Sequence, residues 1–355
     1  MQVEENIPLA PFTTLRIGGP ARYLVRVENE SQLVEAVAFA RGRGLPIFVL
    51  GGGSNLVVSD RGFDGVVLHM AIGSLTSVEY GADFGASVDQ TVPAGMDWDA
   101  FVLAACRGGL SGVECLAGIP GLVGGTPVQN VGAYGQEVSE TIVSVRVFDL
   151  ERMQFVSLSR SECGFGYRRS IFNSTARGRY IVTAVTFHFE VGRAVELKYA
   201  ELQRRFAQRH LAGERPSPLE VYEAVRTIRY GKGMLLVEGE PDCRSAGSFF
   251  KNPVVDDAAF SAILTVLSLE ARSVPHWPAG EGRVKLAAAW LLERAGFQKG
   301  FAVGQAGISS RHTLALVNRG GATAAEILTL RDEIRRVVAD RFGIELEQEP
   351  VMLGD

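Results

Sequence analysis

Cysteine and histidine are sparse in this chain of 355 residues, with four of one and five of the other. Cys106, Cys115, Cys163 and Cys243 include no Cys-x-x-Cys pair, and His69, His188, His210, His276 and His312 lie far apart. Neither a zinc site nor a disulfide framework is expected, and the cysteines read as reduced, packed thiols. Long basic blocks are missing too: 36 Lys and Arg stand against 40 Asp and Glu for a net charge of −4, which argues against nucleic acid as the main partner. No apolar run approaches a membrane span, and the start, Met1-Gln2-Val3-Glu4-Glu5-Asn6, lacks the apolar segment of a secretory signal. A cytoplasmic protein is expected, without internal repeats or low-complexity segments.

What the chain does have is glycine, 41 residues of it, in a composition that is 46% hydrophobic and 21% charged. That size and apolar content predict two or three domains with sizeable cores. The most informative stretch is Leu50-Gly51-Gly52-Gly53-Ser54-Asn55, which follows the strand-like Leu45-Pro46-Ile47-Phe48-Val49-Leu50. Three consecutive glycines let the backbone turn with positive φ and bring N–H groups against an anion with no Cβ in the way. It is not a P-loop, because no Gly-Lys-[Ser/Thr] follows, and Leu56 stands where a dinucleotide fingerprint needs its third glycine. Taken alone, the run reads equally as a tight turn between two strands.

The segment 118–135 carries glycine at 118, 121, 124, 125, 132 and 135 and proline at 120 and 127. No regular helix or strand tolerates that composition. Being apolar, it suits backbone laid along a large flat ligand whose ring edge meets main-chain N–H and C=O groups.

Around these loops the pattern alternates helix and strand. Leu33, Val34, Val37 and Ala40 recur at helical spacing and Gly42 and Gly44 supply the stop, giving a β-α-β unit over residues 1–68. A β-rich part over 69–195 follows, with a helix capped by Asp97 and strands at Thr141–Leu150, Phe155–Leu158 and Tyr180–Glu190. The composition changes near Val195, where a third domain, 196–355, is expected. It opens on a charged helical stretch from Lys198. Ser217 and Pro218 then cap a helix through Val221, Ala224, Val225 and Ile228. Further helices are expected over Lys285–Arg294 and from Thr323, boxed by Glu326, to Gly343, and the tail from Ile344 to Leu353 reads as a strand.

Several shorter pieces carry reactive groups. Gly247-Ser248-Phe249-Phe250-Lys251-Asn252-Pro253 holds a hydroxyl, a cation and an amide, but Ser248 lacks the Gly-x-Ser-x-Gly elbow of a serine hydrolase and is better suited to donate a proton. Gly166-Tyr167-Arg168-Arg169-Ser170 offers a guanidinium able to clamp a carboxylate.

In order, Arg16-Ile17-Gly18-Gly19-Pro20, Leu50–Asn55, Gly118-Ile119-Pro120-Gly121, Asn130-Val131-Gly132-Ala133-Tyr134-Gly135, Tyr167-Arg168, Gly247–Pro253 and a final Glu349 closely resemble the UDP-N-acetylenolpyruvoylglucosamine reductase family. The likeness runs from about Asn6 to Leu353. It implies an α+β protein: a two-subdomain FAD-binding unit of the p-cresol methylhydroxylase type followed by a substrate-binding domain. It also implies a peptidoglycan-precursor enzyme that uses NADPH and non-covalent FAD to reduce UDP-N-acetylglucosamine enolpyruvate to UDP-N-acetylmuramate. Residue by residue, Arg16, Gly51, Gly52, Gly53, Ser54, Asn55, Gly118, Ile119, Pro120, Gly121, Gly124, Asn130, Gly132, Ala133 and Tyr134 would hold FAD. Ser248, Glu349 and Arg168 would be catalytic. Tyr167, Tyr199, Lys232 and Asn252 would bind the sugar nucleotide, Tyr199 as the capping tyrosine of one branch of the family. No metal and no partner beyond the substrate is implied, and a monomer is expected.

Two departures from the family pattern stand out. Gln348 takes the place of a proline and Pro350 follows Glu349, which leaves Glu347 as a second claimant to the acid role. The segment between Lys232 and Ser248 is long. Rival readings are a related flavin oxidase acting on an alcohol and a flavin-binding module without turnover.

Overall fold

The computed structural model describes residues 1–74 and 86–354, and of His210 only the backbone. Part of the β-rich stretch expected after residue 68 falls outside the described residues. The chain divides into two compact units. One comprises Met1–Glu5, Tyr23–Gly52 and Gly65–Tyr230, the other Asn6–Arg22, Gly53–Asp64 and Gly231–Asp355. The division after Tyr230 does not coincide with the change of composition near Val195. Leu202, Val221, Ala224 and Val225, which follow that change, are buried in the core of the first unit.

In the first unit, helix Glu30–Gly42 is capped by Asn29, whose side chain accepts from the Gln32 N–H at 2.9 Å. Its buried face, Leu33, Ala36, Val37 and Ala40, joins Val25, Val27, Val66 and Leu68 in the core. The strands lie in the order Val3–Pro8, Pro20–Val27, Phe63–Met70, Ile47–Leu50. Ile47–Leu50 runs parallel to Phe63–Met70, with Leu50 opposite His69. The glycine run therefore begins at the carboxyl end of a parallel strand, the place where sheets with helical crossovers leave room for a ligand.

A second sheet is antiparallel, in the order Gln154–Ser159, Ile142–Asp149, Tyr180–Glu190, Ser87–Pro93. As the alternation predicts, Val185, Phe187 and Phe189 are buried while His188 and Glu190 face out. Helix Trp98–Arg107 starts where Asp97 accepts from the Ala100 N–H at 2.8 Å. It packs on this sheet, the Phe101 ring lying 4.9 Å from that of Phe187. Burying each such aromatic contributes about 2 kcal/mol.

The second unit has its own core, built from Phe249, Phe250, Leu291, Leu292, Leu316, Ile327, Leu330 and Ile334 together with Leu15, Ile17 and Val57 from the early chain. One sheet runs Ser245–Ser248, Ala315–Asn318, Ala306–Ile308, Ala302–Val303, and a smaller one Val254–Asp256, Arg283–Leu286, His276–Pro278. Leu56–Val58 pairs in parallel with Val351–Leu353. Helix Ala324–Phe342 carries the expected capping box of Thr323 and Glu326 and ends at Gly343 with φ +67°.

Two expectations change here. Lys285 is not helical: Arg283–Leu286 pairs with Val254–Asp256, and the helix is Ala288–Ala295. In the tail only Val351–Leu353 is strand, because Pro350 has no N–H for a ladder and the Gln348 amide turns back to the Pro350 carbonyl at 2.6 Å. Helix Asp257–Leu267, capped by Asp256, is an additional element, with Phe260 and Ile263 on its buried face. The whole is an α+β fold, as expected.

Candidate functional site

The two glycine-rich segments meet in the first unit. A Cβ placed on Gly52 would stand 2.6 Å from the Cα of Gly121, so backbone lies against backbone. The second loop is pressed equally closely onto its support, since a Cβ on Gly124 would fall 2.5 Å from that of Ala94. Gly121 accepts from the Trp98 N–H at 3.0 Å and has φ +132°. Among the described residues, the N–H groups of Gly51, Gly52 and Gly53 donate to no protein acceptor. Ile119, Pro120 and Leu122 remain half-exposed, presenting an apolar surface beside these amides.

A charged network underpins this loop. Asp99 accepts from the Gly118 N–H at 2.6 Å, from the Tyr222 hydroxyl at 3.2 Å and from Arg226. Arg229, only 9% exposed, donates its Nε–H to the Gly118 carbonyl at 3.0 Å and bonds Tyr134. Burial pulls the Arg229 pKa down, opposed by Tyr134 and Asp99, while burial and then Asp99 push the Tyr222 hydroxyl up to about 12. Arg229 and Asp99 were not among the expected site residues. The signal for Arg229 was present, since it falls in step with Val221 and Val225 on the apolar face of helix Pro218–Gly231, where an arginine needs a partner.

Tyr134 and Tyr199 touch edge-on, ring centroids 5.2 Å apart at 89°. Gly135 lets this happen: a Cβ there would meet the Lys198 Cβ at 2.7 Å. Tyr167 and Arg168 form the tip of a tight turn closed by Gly166 and Arg169, which exchange N–H···O bonds of 2.9 and 3.0 Å. Arg168 holds φ +53° and lies half-buried, with Nη1 3.1 Å from where a Gly132 Cβ would be. Asn130 is wholly buried, and Ala133 lies beside Gly132 in the short hairpin it forms with Gln136.

Other expected residues gather in the second unit. Ser248 ends a strand opposite Ala315, and the next residue, Phe249, accepts from the Glu349 N–H at 3.0 Å. The Asn55 amide reaches the Glu349 carbonyl at 3.4 Å, and Asn55 O takes the Val351 N–H at 2.9 Å. Asn55, Ser248 and Glu349, widely separated in sequence, are thus neighbours through the main chain. Thr14 ties the set together, giving its hydroxyl to Ser245 O at 2.6 Å and its N–H to Gly53 O at 3.1 Å. Glu349 is half-buried, whereas Glu347 is exposed and paired with Lys251. Ser54 and Lys232 are half-buried. The Arg16 side chain is turned to the Pro11 carbonyl at 2.6 Å. Asn252 uses its Oδ1 to accept the Ala288 N–H at 3.0 Å, capping a helix.

Glycine amides without protein acceptors among the described residues at a strand's carboxyl end, next to a loop where Gly124 and Gly135 leave no room for a Cβ, fit a dinucleotide diphosphate and a flat ring system. Residues 21–152 match the FAD binding domain family, and the chain is an FAD-binding oxidoreductase. Residues 240–353 match the C-terminal domain of UDP-N-acetylenolpyruvoylglucosamine reductase. Among relatives, the enzyme of that name from Thermobifida fusca is 47% identical over 98% of this chain and 97% of its own. That from Streptomyces coelicolor is 44% identical over 100% and 91%. The crystal structure of the Thermus caldophilus reductase aligns over all of both chains with a TM-score of 0.67 at 29% identity. The chain belongs to the UDP-N-acetylenolpyruvoylglucosamine reductase family.

Proposed function

We propose that this protein reduces the enolpyruvyl group of UDP-N-acetylglucosamine enolpyruvate to a lactyl ether, giving UDP-N-acetylmuramate for peptidoglycan, with NADPH as reductant. When bound, FAD would supply the hydride chemistry that links NADPH to the enol ether. Gly51 to Asn55 would hold its diphosphate and the segment from Gly118 to Tyr134, the buried Asn130 side chain excepted, would line its ring, with Arg16 alongside.

The chain's own groups manage charge and protons. Hydride addition at the β-carbon leaves negative charge at the α-carbon, delocalised into the carboxylate. Arg168 stabilises that charge where it develops, and Glu349 shares a proton with the same carboxylate. Ser248 gives its hydroxyl proton to the α-carbon, a transfer made downhill by the basicity of the carbanion. Tyr167, Tyr199, Lys232 and Asn252 bind the sugar nucleotide, with Tyr199 closing over its diphosphate. The observation that most supports these roles is the hydrogen bond from the Glu349 N–H to Phe249 O, which sets the proposed acid next to the proposed proton donor.

The test separates the half-reactions. Ser248→Ala should leave bleaching of the flavin by NADPH nearly intact and abolish reoxidation by the enol ether; equal loss in both would overturn the assignment. Reoxidation by the enol ether in preference to oxygen excludes an oxidase. Acid precipitation should leave the yellow colour in solution, since the FAD is dissociable. A cytoplasmic monomer completes the reading; no helix among the described residues is long and apolar enough to cross a membrane.

A further inference from the structure

We infer that Asn130 is a positioning residue for Arg168, an inference that rests on the carboxylate-stabilising role proposed for that arginine. Resemblance assigns Asn130 to the cofactor, yet its side chain is spent inside the protein. Its Nδ2 donates to the Gly166 carbonyl at 3.0 Å and to Glu137 Oε2 at 2.8 Å, and its Oδ1 accepts the Ser139 N–H at 3.2 Å. Exposure is 0%, and the backbone sits at φ +45°, a conformation that asparagine tolerates better than most residues.

Those three bonds join two structures that the sequence keeps apart. Glu137 and Ser139 belong to the segment that follows Gly132, and Gly166 is the first residue of the turn bearing Tyr167 and Arg168. Gly166 is itself locked to Arg169 by reciprocal main-chain bonds, so fixing its carbonyl fixes both stems of the turn. Further contacts come from Asn173, whose amide donates to the Arg168 carbonyl at 3.1 Å, and from Ser170, whose hydroxyl donates to the Val128 carbonyl at 2.5 Å. The Arg168 guanidinium extends from this turn to the edge of Gly132. One buried amide thus ties the turn that carries it to the hairpin at Gly132. A guanidinium that must meet charge developing only in the transition state loses much of its effect when displaced by an ångström.

The experiment compares Asn130→Asp and Asn130→Gly, both compatible with the positive φ, with Arg168→Met and the Asn130→Asp/Arg168→Met pair, all as FAD-loaded enzymes. Each Asn130 variant should bleach with NADPH at the parent rate and keep its flavin spectrum. Reoxidation by the enol ether should slow by about 10- to 100-fold, the effect of losing a buried hydrogen bond that aligns a charge. Limited trypsin digestion should cut after Arg168 or Arg169 faster than in the parent, a readout independent of turnover. The double variant should be no slower than Arg168→Met alone, because the two act as one unit. Loss of FAD, equal slowing of both half-reactions, or additive losses in the pair would overturn the inference. If Arg168→Met slows reoxidation and the Asn130 variants do not, the inference fails and the catalytic reading survives. If Arg168→Met leaves reoxidation unchanged, both fail.

Discussion

Gly52 and Gly121 come within contact of each other at the Cα, so that a single methyl group on the first would stand 2.6 Å from the second. Nothing flexible can yield there, because both sides of the contact are main chain. The glycine run after Leu50 and the segment from Gly118 are consequently two sides of one surface rather than independent turns.

Gly52→Ala should accordingly push the loops apart. The cost is about 1–3 kcal/mol of strain, in the range of an overpacked core. FAD content, read as the ratio of flavin to protein absorbance after gel filtration, should fall well below one per chain, with a lower melting temperature. Full flavin occupancy in this variant would show that the contact has nothing to do with the cofactor.

The tail offers two carboxylates, and their settings differ. Glu349 is half-buried with its N–H on Phe249 O, while Glu347 is exposed and paired with Lys251. Glu347→Gln should cost less than about 1 kcal/mol of stability, as for any surface pair, and leave turnover close to the parent value. Glu349→Gln should cut enol ether reduction by at least about 100-fold, the scale of a lost acid or transition-state contact. Steady-state rates on the two variants decide between them.

Thiol reactivity should be uneven. Cys106, Cys115 and Cys163 are buried; burial first, then neighbouring carboxylates, raise the thiols, that of Cys163 to about 12. Only Cys243 is partly accessible. Titration of the native protein with a thiol-specific chromophore at neutral pH should modify one cysteine quickly, and denaturation should release the other three.

Acid stability should depend on Asp149 and Arg179, whose side chains bond at 2.7 Å. The pairing, above all the hydrogen bond from Arg179, holds the Asp149 carboxyl below its usual 3.8. A folded-state pKa that is depressed means the unfolded chain binds the proton more readily. The stabilisation is therefore complete above 3.8 and drains away as pH falls through the folded value. Arg179→Gln should lower stability at neutral pH and flatten its dependence on pH below about 4, as measured by urea unfolding across the acid range.

Much of this was legible where chemistry is local. Asp97, Ser217 with Pro218, and Thr323 with Glu326 announce helices because caps answer unsatisfied N–H groups within a few residues. The glycine loops were equally plain, because absence of a side chain is itself a local signal. What could not be read is what depends on distant partners. Asn252 looks like any exposed amide until Ala288 arrives at its oxygen, and Asn130 shows no sign in its own neighbourhood of Gly166. Arg229 lies on an apolar stripe whose pattern speaks of packing, and only the Gly118 carbonyl and Tyr134 reveal what its charge meets. Arg283–Leu286 is strand and not helix because Val254–Asp256 and His276–Pro278 pair with it on either side.

The second unit is assembled from pieces that a simple cut cannot keep together. A fragment beginning at Gly231 would retain Val351–Leu353 without Leu56–Val58, its parallel companion, and would lack Leu15, Ile17 and Val57 from its interior. Such a gene would encode an exposed edge and a hollowed centre, so the carboxyl-terminal third is not a transferable module. Shuffling with other proteins would have to carry the early chain along, which ties the inheritance of one part to that of the other.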